Sequence, residues 1–124
     1  MSGLTDLHTD EFVADRARAM ASWDGVKRLY VEDAPGVLTP ERAATLLPAL
    51  QEATPGVRLE LHVHNTTGLA PLVYVEGIKA GIDMLHTCSL SMANGPSLPS
   101  IEAMGEIVEE LGHTHDLAKS QVQP

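Results

Sequence analysis

Three short apolar runs, the first two alternating at every second residue and each preceded and followed by a longer run with helical spacing, restrict this chain more than any other feature. Leu29 and Val31 alternate with Tyr30 and Glu32 in a strand predicted over Val26 to Glu32. Leu59, Leu61 and Val63 alternate with Glu60, His62 and His64 in a second strand from Val57 to His64, and Ile82 to Cys88 forms a third. Side chains on a strand point to opposite faces in turn, so one face of each strand packs and the other carries polar groups. Between the strands lie helix signals. Thr9-Asp10-Glu11 is an N-cap with two carboxylates on the positive end of a helix dipole, and Phe12, Val13, Ala17 and Met20 carry its apolar stripe to about Trp23, where Asp24-Gly25 turns the chain. Thr39-Pro40-Glu41 starts a second helix with proline at a tolerated first position, and Ala43, Leu46, Leu47 and Leu50 form its buried face. Pro48 lies inside that helix, which predicts a kink or a lost hydrogen bond near Ala44 before Thr54-Pro55-Gly56 closes it. A third helix from Leu69 to Ala80 presents Leu72, Val73, Val75 and Ile78 and stops at Gly81. A fourth, Pro99 to Leu111, presents Ile101, Met104, Ile107, Val108 and Leu111 and stops at Gly112.

Strands alternating with helices through short connections imply βαβ units, a parallel sheet and an α/β fold. In such folds the working residues collect at the carboxyl ends of the strands. Glu32-Asp33, His62 with His64, and Cys88-Ser89 all fall at such ends. Two imidazoles two residues apart on one strand project in the same direction, which suits adjacent positions around a divalent metal. The formal charge of −9 argues against nucleic acid and anionic membranes as partners, because both are bound mainly through surplus Lys and Arg. The opening residues lack a signal-peptide pattern, no run approaches the roughly eighteen apolar residues of a membrane span, and Cys88 is alone, so a reducing cytoplasmic setting is expected.

The residues His8-Thr9-Asp10-Glu11-Phe12, Val31-Glu32-Asp33-Ala34-Pro35-Gly36-Val37-Leu38-Thr39-Pro40, Leu61-His62-Val63-His64-Asn65-Thr66-Thr67-Gly68, Ala80-Gly81-Ile82-Asp83, Ser91-Met92 and Pro96-Ser97-Leu98-Pro99-Ser100 resemble one family along about residues 4 to 112. It is the carboxyltransferase domain of pyruvate carboxylase, oxaloacetate decarboxylase and transcarboxylase, within the pyruvate carboxyltransferase and HMG-CoA lyase superfamily. The resemblance implies part of a (β/α)8 TIM barrel, with about three parallel strands and four helices, and a divalent metal (zinc, manganese or cobalt) at the carboxyl ends of the strands. It puts His62 and His64 on the family's two histidine ligands. Glu32 stands where the family has a carbamylated lysine, and its carboxylate has the same charge as that carbamate, so Glu32 is the third candidate ligand; Asp33 matches the acidic residue that follows.

The family's first-strand arginine-aspartate motif has no counterpart here. The resemblance therefore implies that residues 1–112 are the C-terminal half of the barrel, with Met1 to Leu7 at most the tail of another strand and 113–124 a loop or disordered tail. Three strands leave two open edges, and the implied partner is a complementary half-barrel chain or a second copy of this one. The implied substrate is a small α-keto acid such as pyruvate or oxaloacetate, with carboxybiotin on a biotin carrier protein as carboxyl donor. A biotin-independent carbon-carbon lyase or condensing enzyme is the alternative within the superfamily, and a non-catalytic half-barrel that only associates with a partner is the third reading. Glu60, Asn65 and Thr66 are near enough in sequence to orient the metal ligands. Elsewhere, His86 has two readings, a residue facing the barrel interior beside the histidine pair or, preferred, a satisfied core histidine; Cys88 reads as a small buried hydrophobe, and His113-Thr114-His115 as a solvated loop. Glu106, Glu109 and Glu110 read as the wet face of the last helix, and Asn94-Gly95-Pro96-Ser97 resembles the family's substrate-facing loop.

Overall fold

The computed structural model describes residues 8–115. The chain runs α1 (Asp10–Ala21), β1 (Arg28–Asp33), α2 (Pro40–Ala53), β2 (Arg58–Val63), α3 (Ala70–Lys79), β3 (Met84–Leu85), a single 3-10 turn (Leu90–Met92) and α4 (Ile101–Glu110). The three strands form one parallel sheet in the order β1-β2-β3. This is the expected α/β architecture, a segment of a TIM barrel.

The caps act as their residue types require. Thr9 and Thr39 accept from the amides of Phe12 and Arg42, and Ser100 does the same for Ala103 at the head of α4. Val31, Leu59, Leu61 and Val63 on one face of the sheet share a core with Val13 and Ala17 of α1, Ala43, Leu46, Leu47 and Leu50 of α2, Val73 and Tyr74 of α3, and Met104 of α4. The opposite face carries Tyr30, Glu32, Glu60, His62 and His86.

Several expectations change. The third strand is only two residues long, since after Leu85 the chain leaves the ladder; Cys88 then makes an isolated bridge to Ser100 and is half-buried, its thiol 3.3 Å from the Ser97 hydroxyl. α3 is rotated from the expected stripe: Leu72 is 54% exposed, whereas Tyr74 is fully buried and Gly77 faces the sheet. Close approach accompanies this: a Cβ on Gly77 would stand 2.4 Å from Leu61 Cδ1, so glycine lets the helix settle there without displacing the Leu61 side chain. Phe12 and Leu111 are likewise exposed. At Pro48 the expected lost hydrogen bond holds, since proline has no amide proton to give Ala44, while α2 still runs unbroken from Pro40 to Ala53. Both Pro48 and Ala44 are exposed, so the carbonyl that loses its amide partner faces water. His113 is exposed and outside any helix, and His115 pairs with Glu109 at 3.0 Å. Met1 to Leu7 and residues 116–124 of the expected tail lie outside the described residues.

Tyr74 replaces the ladder bonds that the short β3 does not make. Its hydroxyl accepts from the Val63 amide at 3.1 Å and donates to the His86 carbonyl at 2.6 Å, tying the end of β2 to the chain beyond β3. Tyr74→Phe leaves both backbone groups unpaired, and urea unfolding should show a loss of about 1–3 kcal/mol. Burial holds the Tyr74 phenol above its ordinary value of 10.0. The unfolded phenol therefore ionises first, and stability should decline as pH rises past about 10, a decline that Tyr74→Phe abolishes.

Candidate metal and substrate site

β1 and β2 pair in register from Arg28 opposite Arg58 to Asp33 opposite Val63, which sets Glu32 beside His62 and Tyr30 beside Glu60. Glu60 in turn pairs with Met84, so His86, two residues farther on, comes level with His62. The His62 and His64 ring centroids are 5.3 Å apart, and those of His62 and His86 are 5.2 Å apart, edge to face. The Tyr30 ring is tilted beside the group, 6.0 Å from His62 and 5.7 Å from His86. His62 Nδ1 is 3.0 Å from His86 Nδ1, and His86 Nε2 is 2.8 Å from Glu60 Oε1.

His64 lies just beyond β2, where a loop from far along the chain meets it. Its Nδ1 is 2.6 Å from the Pro96 carbonyl oxygen, which can only accept, so Nδ1 carries the proton and Nε2 keeps its lone pair. The same loop takes the Asn65 amide onto the Ser97 carbonyl and the Asn65 side-chain nitrogen onto the Asn94 side-chain oxygen, while Asn65 Oδ1 accepts from Ala70 at the head of α3. Asn94 takes the left-handed conformation at φ 67° to make the turn. On the other side Gly36, at φ 71°, fits under His64; a Cβ there would stand 2.7 Å from the His64 carbonyl oxygen.

Asp33 faces away from this group. It is buried and its carboxylate accepts from the amides of Val37 at 3.1 Å and Leu38 at 2.6 Å, so it shapes the loop after β1. Thr66 is exposed, and Thr67 donates to the Gly36 carbonyl at 2.8 Å. Of the candidate orienting groups, Glu60 reaches His86 and Asn65 reaches the 94–97 loop. His86, for which the sequence preferred a core role over a place beside the histidine pair, is bonded to Glu60 and stands against His62. Its period-two relation to Met84 on a strand beside His62 was the only sequence signal for that.

Burial lowers the His62 pKa below 6.5; the neighbouring His86 and His64 add to the shift and Glu32 opposes it. Neutral imidazole is the form that binds a metal. His62 and His64 thus offer donors of the type that zinc, cobalt and manganese accept. Among the described residues no group of three or more His, Cys, Asp or Glu side chains is placed to hold a metal ion. The His62 and His64 rings, 5.3 Å apart between centroids, are of the donor type a divalent metal takes, and Glu32 stands beside His62 in the register.

The HMGL-like family profile matches residues 4–123. Pyruvate carboxylase 1 of Caenorhabditis elegans is 38% identical over 93 residues, covering 74% of this chain and 8% of that protein. A 4-hydroxy-2-oxovalerate aldolase of Roseiflexus sp. (strain RS-1) is 29% identical over 109 residues, covering 88% of this chain and 32% of that protein. The carboxyl transferase domain from Rhizobium etli pyruvate carboxylase superposes with a TM-score of 0.80 at 23% identity, over 87% of this chain and 19% of that one. The chain thus spans about a third or less of the length of these relatives.

Two outcomes follow for the site. A histidine titration followed by NMR should give His62 a midpoint below 6.5, rising in His64→Ala as a like charge is removed, with stability declining as pH falls below 6.5 because the unfolded imidazole then takes up its proton first. Gly36→Ala should lose about 1–3 kcal/mol in thermal unfolding, from a strained φ and the push on His64.

Proposed function

The chain belongs to the HMGL-like family, and from that premise we propose that it supplies His62, His64 and Glu32 as ligands of a divalent metal at the carboxyl end of a TIM-barrel sheet, for carboxyl transfer to or from a small α-keto acid such as pyruvate or oxaloacetate. The observation that supports this most is His64: its Nδ1 is committed to the Pro96 carbonyl, which leaves the other ring nitrogen as a bare donor beside a second, neutral imidazole. Zinc, manganese or cobalt bound there would supply Lewis acidity toward a keto acid whose carbon next to the carbonyl gains negative charge when a carboxyl group leaves. The chain's own residues orient and shield that substrate. Tyr30 stands beside the imidazoles, and the 94–97 loop, held by Asn65, fixes the approach to His64.

In this reading residues 1–112 form the second half of a barrel, carboxybiotin on a carrier protein delivers the carboxyl group, and the setting is the cytoplasm. β1 and β3 are the edge strands of the sheet, and the face bearing the histidines leaves Tyr30 45% exposed. A complementary half-barrel, or a second copy, would cover both. A second reading, biotin-independent carbon-carbon cleavage of a 2-oxo acid, is favoured by Glu32 in place of the family's lysine and by the likeness to the aldolase.

Metal titration of the purified chain with zinc, cobalt and manganese tests the ligand set. His62→Ala and His64→Ala should each lose at least about tenfold in affinity, and Glu32→Gln should weaken it less; unchanged stoichiometry in the double histidine variant would remove the proposal. Mixed with a complementary barrel half, the metal-loaded chain should decarboxylate oxaloacetate. Cleavage of a 4-hydroxy-2-oxo acid instead, without biotin, selects the second reading.

A further inference from the structure

We propose that His86, held by Glu60, is a positioning residue that fixes the ring tautomer of His62 and so leaves His62 Nε2 as the metal-facing donor. The inference rests on the metal reading above for its purpose, but the tautomer itself follows from three contacts. An ionised carboxylate only accepts, so the 2.8 Å contact from Glu60 Oε1 places a proton on His86 Nε2. Neutral His86 then carries its lone pair on Nδ1. At 3.0 Å from that lone pair, His62 Nδ1 must donate, and its own lone pair is left on Nε2. His64 reaches the same state by a different route, through the Pro96 carbonyl. Both imidazoles thus present Nε2, one set by a backbone oxygen and the other by a side-chain relay that starts at a carboxylate.

The relay is held rigidly at its far end. The His86 amide donates to the Leu61 carbonyl at 2.8 Å and its carbonyl accepts from Tyr74, so the backbone of His86 is fixed on both sides. Glu60 is 5% exposed, and its second oxygen, Oε2, is buried with no hydrogen-bond partner, with the Arg28 guanidinium 3.8 Å away. A carboxylate kept in the sheet with one oxygen unsatisfied is costly to the fold, and the contact it does make is the one to His86.

Long-range 15N–1H NMR of the metal-free chain above pH 7.5 tests this directly. His62 and His64 should both appear protonated on Nδ1, and His86 on Nε2. In His86→Ala, His62 should shift to the Nε2-protonated form while His64 stays unchanged, and zinc affinity should drop about 10- to 100-fold. His86→Asn, whose amide oxygen still accepts from His62 Nδ1, should recover most of that affinity. Glu60→Gln should mix the tautomers of His86 and His62, and the backbone amide spectrum verifies that each variant is folded. Wild-type His62 protonated on Nε2 would overturn the inference, as would a zinc-bound His86 nitrogen, which would make His86 a ligand. Wild-type tautomers as assigned in a chain that binds no zinc would uphold the relay and overturn the metal reading alone.

Discussion

The in-register parallel pairing of β1 with β2 is the constraint on which everything else in this molecule depends. It aligns Glu32 with His62 on one face and Val31 with Leu61 on the other, so a single set of backbone hydrogen bonds decides both the polar group and the core. Slipping either strand by one residue would turn its polar side chains under the helices and its apolar ones to solvent, exchanging the two faces. Burial of Val31, Leu59, Leu61 and Val63 against α1, α2 and α3 is therefore what holds the histidines in place.

α3 transmits that constraint to the third strand. Gly77 lets the helix rest on Leu61, and at that depth the Tyr74 hydroxyl reaches past the core to the Val63 amide and the His86 carbonyl. Gln51 of α2 donates to the Ala80 and Gly81 carbonyls at the other end of α3, fixing the turn into β3. With so few ladder bonds in β3, these side-chain contacts carry much of the work of holding His86 level with His62.

The polar face is organised by which nitrogen of each ring is engaged. Pro96 engages His64, and His86 engages His62, from two segments that follow β2 in the chain and return to it. The chain is similar in sequence to a pyruvate carboxylase and to a 4-hydroxy-2-oxovalerate aldolase, and in fold to a carboxyl transferase domain.

Taken alone, the sequence determined the alternation of helices and strands, the caps at Thr9 and Thr39, the buried face of α2 and the pair of histidines at the end of β2, because periodicity and capping depend on residues a few positions apart. It identified the family for the same reason, since the motifs are local strings. Only the tertiary structure decided that Tyr74 and Gly77 rather than Leu72 face the sheet, that β3 ends after two residues, that Asp33 supports a loop, and that His86 stands against His62. All but the Asp33 loop turn on the fit between segments more than ten residues apart, such as Gly77 on Leu61 or Pro96 on His64, and short-range patterns carry no information about how such surfaces meet.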